Sequence, residues 1–170
     1  MKNNRIRIVP FEMKYLNDYY NDFDNEITKY QWPDPFNSID DARDLLQGFL
    51  DEMEKDETLL FAIIDADERF VGSVEMHGLS EDCPELGVWI IEPQQRKGYA
   101  YEALTNILNL AQEKYSKNSF FYEADIRNVG STKLLNKFSN YYEIEKLGVE
   151  ELVTDSGKEL QLQSSILRVK

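Results

Sequence analysis

Trp89-Ile90-Ile91-Glu92-Pro93-Gln94-Gln95-Arg96-Lys97-Gly98-Tyr99-Ala100-Tyr101-Glu102-Ala103-Leu104 is the stretch on which the reading of this chain turns. A run of apolar strand formers is stopped by Glu92-Pro93, because proline has no N–H for a sheet ladder. A short polar, basic loop follows, and a helical pattern begins at once, with Leu104, Ile107, Leu108 and Ala111 on one face. Strand, loop and helix in that order build an anion site from main-chain geometry. The first N–H groups of a helix have no internal partner, and the helix dipole adds partial positive charge there. Gly98 lets a ligand approach the backbone, and Ala100 is nearly as small. Arg96 and Lys97 add full positive charge, so a diphosphate is the natural guest.

Working outward, Arg5–Val9 alternates and reads as an edge-like strand ending at Pro10. Met13–Phe23 has helical spacing, and the Trp32-Pro33-Asp34-Pro35-Phe36 segment excludes regular structure. Ser38 predicts an N-cap, with Asp41 where a capping box carries Glu, and Leu45, Leu46, Phe49, Leu50 and Met53 mark the buried face of the helix it starts. Leu59–Ile64, Phe70–Met76 and Glu85–Ile91 read as an antiparallel meander. After the helix from about Gly98 to Tyr115 come a strand at Ser119–Asp125, a short helix at Ser131–Phe138, and a hairpin of Tyr141–Leu152 and Lys158–Val169 about Asp155-Ser156-Gly157. No repeat, low-complexity tract or linker divides residues 1–170, which predicts a single domain.

The 170 residues carry a formal net charge of −13. That balance argues against nucleic acid as the main partner and is compatible with a cationic substrate. A lone cysteine, Cys83, excludes an internal disulfide, and a lone histidine, His77, excludes a multi-histidine metal site; no metal is expected. Met1–Arg5 leads into only a short apolar run, which does not read as a signal peptide, and no segment approaches a membrane span. The expected location is cytoplasmic, with no membrane partner. No Walker-type Gly-Lys-Ser/Thr and no Gly-x-Gly-x-x-Gly is present.

Gln95-Arg96-Lys97-Gly98-Tyr99-Ala100 resembles the Gln/Arg-x-x-Gly-x-Gly/Ala signature of the GNAT superfamily, the acetyl-CoA-dependent N-acetyltransferases. Asn128-Val129-Gly130-Ser131-Thr132-Lys133-Leu134-Leu135-Asn136-Lys137 is similar to the Asn-x-x-Ser-x-x-x-x-x-Lys helix of the branch with ribosomal-protein N-terminal and spermidine acetyltransferases. The resemblance covers roughly Arg5–Arg168. It implies an α/β (α+β) fold, a mixed, mostly antiparallel sheet of about seven strands splayed after the fourth, with helices on both faces. It also implies acetyl-CoA as acyl donor and a primary amine as acceptor (a peptide N-terminus, a polyamine or another small amine), with a homodimer as the assembly.

By the same resemblance, the β-edge at Trp89, Ile90 and Ile91 bonds the pantetheine arm, the backbone N–H groups of Arg96, Lys97, Gly98, Tyr99 and Ala100 hold the pyrophosphate, and Gln95 opens the coenzyme-binding signature. Asn128 either bonds the pantetheine or caps the following helix, and Ser131 and Lys137 fit the adenosine end; Lys137 alternatively is a solvated lysine. Leu135 stands where many relatives carry a tyrosine acid, and Ser139-Asn140 replaces the usual Gly-Phe. That leucine keeps a non-catalytic acyl-CoA-binding module as the alternative function, and Tyr141 or Tyr142 as substitute acids.

An amine with a pKa of about 10 is neutral roughly one time in a thousand at pH 7, and a peptide α-amine, at about 8, one in ten. A general base therefore matters more for the first. Glu85 matches the catalytic glutamate of several relatives, or is an ordinary strand-end glutamate. Glu75 and His77, on one strand face, are weaker candidates. The acidic residues from Asp18 to Glu57 either steer a cationic amine or are solvated helix faces. Trp32 and Phe36 either wall the acceptor pocket or plug the core.

Overall fold

The computed structural model describes residues 5–170; the tail Met1–Asn4, part of the leader reading, lies outside them. The strands are β1 (Ile6–Pro10), β2 (Thr58–Asp65), β3 (Phe70–His77), β4 (Glu85–Ile90), β5 (Ser119–Asp125), β6 (Tyr142–Val153) and β7 (Glu159–Val169). The helices are α1 (Leu16–Asp22), α2 (Ile39–Met53), α3 (Tyr99–Tyr115) and α4 (Val129–Asn136). All seven strands form one sheet in the order β1-β2-β3-β4-β5-β7-β6. Every neighbouring pair is antiparallel except β4–β5.

β2 is buried at every position, which its unbroken apolar run requires of a strand covered on both faces. One face packs α3 and α4 through Leu104, Ile107, Leu108, Leu135 and Phe120. The other packs α1 and α2 through Tyr19, Phe23, Ala42, Leu46 and Trp89. Ser38 caps α2 as its sequence predicts: it is extended, and its side chain accepts the Asp41 N–H at 3.1 Å. Leu45, expected on the buried face, stays outside that core, and the small Ala42 is fully buried instead. Met13–Tyr15 forms a 3-10 turn before α1. α4 begins two residues before its predicted start because Asn128, not a later residue, is the cap.

The parallel β4–β5 pairing is short. Only Glu85↔Phe121 and Leu86↔Tyr122 are in register, so Gly87–Ile90 presents an open edge toward β5. The β6–β7 turn is fastened to the loop before α2. Lys158 Nζ lies 3.0 Å from Asp34 and donates to the carbonyls of Thr28 (2.7 Å) and Gln31 (2.8 Å). Among the described residues, no helix is long and apolar enough to cross a membrane, and no cluster of three or more His, Cys, Asp or Glu could hold a metal ion.

Candidate active site

Beyond β4 the chain makes one 3-10 turn at Glu92–Gln94, with Pro93 in its first positions. Gln95 then ties the loop to the strand, its Nε2 donating to the Ile90 carbonyl at 2.9 Å. Arg96 and Gly98 both take left-handed backbone, with φ of 62° and 84°. The first hydrogen bond inside α3 runs from the Glu102 N–H to the Gly98 carbonyl at 3.1 Å. The N–H groups upstream therefore have no helical partner.

Arg5 braces this loop from the N-terminal end of the chain. Its guanidinium donates to the Lys97 carbonyl, lies 5.6 Å from the Tyr99 ring centre and stands 3.5 Å from Glu102. Glu102 in turn accepts the backbone N–H groups of Arg5 (3.1 Å) and Ile6 (3.4 Å). Sequence reasoning missed Arg5, whose only signal was a charge at the start of a strand.

A cleft of about 840 Å³ runs from the α3 N-terminus along the open edge of β4 to α4. Trp89, Ile90, Gln95, Arg96, Gly98, Tyr99, Ala100, Asn128, Ser131 and Lys137 line it, so most of the expected coenzyme residues come together. Ile91 and Lys97 do not. The Ile91 N–H is spent on the Val71 carbonyl at 2.9 Å, and the Lys97 ammonium bonds Gln94 at 2.6 Å. The cleft's charged lining is Lys29, Arg96, Lys133 and Lys137 against Glu26 alone, a cationic surface on a chain of net charge −13.

Asn128 caps α4, its Oδ1 accepting the Ser131 N–H at 3.1 Å while its amide nitrogen remains available to a ligand. Lys137 Nζ sits 5.8 Å from the Tyr101 ring centre. Leu135 is buried in the α3-side core. Neither proposed substitute acid reaches the cleft. Tyr141 points to solvent, and Tyr142 is buried with its hydroxyl accepting from Gln112 Nε2 at 2.7 Å. Phe36 packs into the α1/α2 core, whereas Trp32 is 61% exposed and plugs nothing.

The opposite sheet face carries the carboxylates. Glu85 and His77 are register partners, and Glu75 pairs with Gly87. Glu75 Oε1 lies 3.5 Å from His77 Nε2, a distance for an ion pair rather than a short hydrogen bond. Desolvation pulls the His77 pKa down, but Glu75, and then Glu85 and Glu52, outweigh it and hold it above 6.5. Glu85 keeps an exposed rim position, yet partial desolvation and the charge of Glu123 push its carboxyl above the ordinary glutamate value. Of the acidic helix residues, Asp22 is likewise raised, by desolvation and then by the charges of Asp18 and Asp24.

A sheet parted beside β4, with a basic, glycine-containing turn at the head of the gap, is the architecture of an acyl-transfer fold. The acetyltransferase (GNAT) domain profile matches residues 5–138, and the chain belongs to this family of N-acetyltransferases. Among solved structures it resembles the spermidine N-acetyltransferase of Vibrio cholerae in complex with CoA and spermine, with a TM-score of 0.81 at 19% identity, covering 98% of this chain and 97% of that one. It is also similar to the ribosomal-protein α-N-acetyltransferase RimL in complex with coenzyme A (TM-score 0.80, 12% identity, 98% and 96% covered). A probable acetyltransferase superposes with a TM-score of 0.80 at 17% identity, over 98% and 94% of the two chains. At these identities the likeness is one of fold. No curated protein sequence matches the chain.

Proposed function

We propose that this enzyme transfers the acetyl group of acetyl-CoA directly to a primary amine in a ternary complex. The observation that carries the reading is the open β4 edge leading to a cationic turn. The turn's N–H groups suit the pyrophosphate, the edge suits the pantetheine amides, and the Asn128 amide suits the same arm. Ser131 and Lys137 take the adenosine end. The acceptor enters from the α1/α2 side, where Glu75 and Glu85 offer carboxylates for its proton. With Leu135 at the usual tyrosine position, the thiolate leaves without a dedicated tyrosine acid. Small cationic amines and peptide N-termini are the acceptor classes, and the cytoplasm is the compartment that supplies the donor.

The test is release of free thiol from acetyl-CoA in the presence of polyamines, peptides and aminoglycosides. Acetylated product with one class establishes the reading. Tight coenzyme binding without turnover on any of them would reduce the protein to an acyl-CoA-binding module.

A further inference from the structure

Four side chains on the α1/α2 side of the sheet form a chain that coenzyme binding does not use. Glu75 Oε1 lies 3.5 Å from His77 Nε2, and His77 Nδ1 lies 3.3 Å from Thr58 Oγ1. The Thr58 hydroxyl lies 2.6 Å from Glu52 Oε2, to which it donates. Since the only Thr58 proton goes to Glu52, its oxygen serves His77 as acceptor. In the neutral imidazole, Nδ1 of His77 then carries the ring proton and Nε2, facing Glu75, is free to accept one. The Phe49 ring, centred 4.7 Å away, fixes the imidazole from α2. Thr58 is buried and Glu52 partly exposed, so the chain leads from the sheet to the surface.

Its inner end lies where the sheet opens. β4–β5 pairing stops at Leu86, which makes Gly87 the first open residue of β4. Glu75 folds over that glycine: a Cβ there would stand 2.8 Å from both its Cγ and its Oε1. Its Oε2 is buried with no hydrogen-bond partner among the described residues. A buried lone acceptor costs free energy until a donor meets it. Glu85 sits two residues earlier, where Phe121 still closes the sheet.

We propose that Glu75 takes the proton of the acceptor ammonium and that His77, Thr58 and Glu52 pass it to solvent. The proposal rests on the reading of direct acetyl transfer. The ammonium gives one proton to Glu75, its lone pair attacks the thioester carbonyl, the C–N bond forms and the C–S bond breaks. The second proton lost by nitrogen neutralises the departing thiolate. The first moves from Glu75 to His77 Nε2, while the Nδ1 proton shifts to Thr58 and the Thr58 proton to Glu52. The charged groups facing His77 are Glu75 on β3, Glu85 on β4 and Glu52 on α2.

His77 is the chain's single histidine, so one imidazole signal reports it by NMR in the intact protein. Glu75→Gln should lower its titration midpoint and lower kcat by about 100-fold, with KM for acetyl-CoA unchanged. Thr58→Val, which keeps the side-chain shape, should alter the neutral tautomer seen in the ring ¹⁵N shifts and slow kcat about tenfold. An unmoved midpoint in Glu75→Gln overturns the relay whether or not transfer is seen. Wild-type turnover and pH profile in that variant overturn its catalytic role while leaving the acetyltransferase reading intact. A wild-type protein that acetylates no amine overturns the transfer reading and the role with it.

Discussion

The guanidinium of Arg5 occupies the space beside Gly98 so closely that a Cβ on residue 98 would lie 2.8 Å from its Nη2. The side chain could swing clear only by leaving the Lys97 carbonyl, and the left-handed backbone at residue 98 would still be strained by about 1–3 kcal/mol. Gly98→Ala should weaken coenzyme binding at least tenfold by calorimetry and lower Tm by roughly 3–8 °C. Wild-type affinity in this variant would remove the loop from the coenzyme site.

Gly87 meets Glu75 rather than backbone, and its own φ is ordinary. Gly87→Ala should therefore push the Glu75 carboxylate aside without straining β4. The expected result is a fall in kcat of about tenfold with an unchanged Kd for coenzyme A. Equal losses in both quantities would instead mean that the strand itself had moved.

The clasp between Asp34 and Lys158 sets an acid limit on stability. Desolvation acts against the Asp34 carboxylate, but hydrogen bonds from Lys158, Thr154 and Ser156 prevail and hold its pKa at about 2, below 3.8. A depressed carboxyl stabilises the fold above its unfolded pKa and loses that contribution as pH falls through the folded value. Tm should drop between about pH 4 and pH 2, and Asp34→Asn should flatten that part of the curve. Parallel curves for the two proteins would deny the clasp any role.

Glu85 predicts the opposite sign. Its carboxyl is raised by desolvation and by Glu123, so the folded state binds its proton more tightly than the unfolded chain does. That stabilising contribution is present below pH 4.5, the ordinary value, and fades as pH rises through the folded pKa. Glu85→Gln should raise Tm at pH 8 relative to wild type and give no advantage at pH 4. A thermal scan at the two pH values decides it.

What could be read from the residues alone was whatever obeys local pattern. The unbroken apolar run of β2, the Ser38 cap and the turn before α3 each announce themselves within a few positions. α4 starts two residues before the expected Ser131: Val129 and Gly130 are poor helix formers, yet a first turn anchored by Asn128 tolerates them. The burial of Ala42 was hidden behind larger neighbours, since a helix lying close to a sheet selects small side chains there. Arg5 and Lys158 act on partners 92 and 130 residues away, and no periodicity encodes such a meeting. Residue type alone cannot single out an acid among ten tyrosines, because type says nothing of where Tyr142 packs.

With only two residue pairs joining β4 to β5, the molecule is built as two leaves meeting at a narrow spine. A donor laid against Gly87–Ile90 would act as mortar, giving a neighbour to the main-chain groups that β3 and Gln95 leave unpaired. Occupancy is then a mechanical event as well as a chemical one. The loaded enzyme should resist amide exchange on both leaves, and product release should coincide with their loosening.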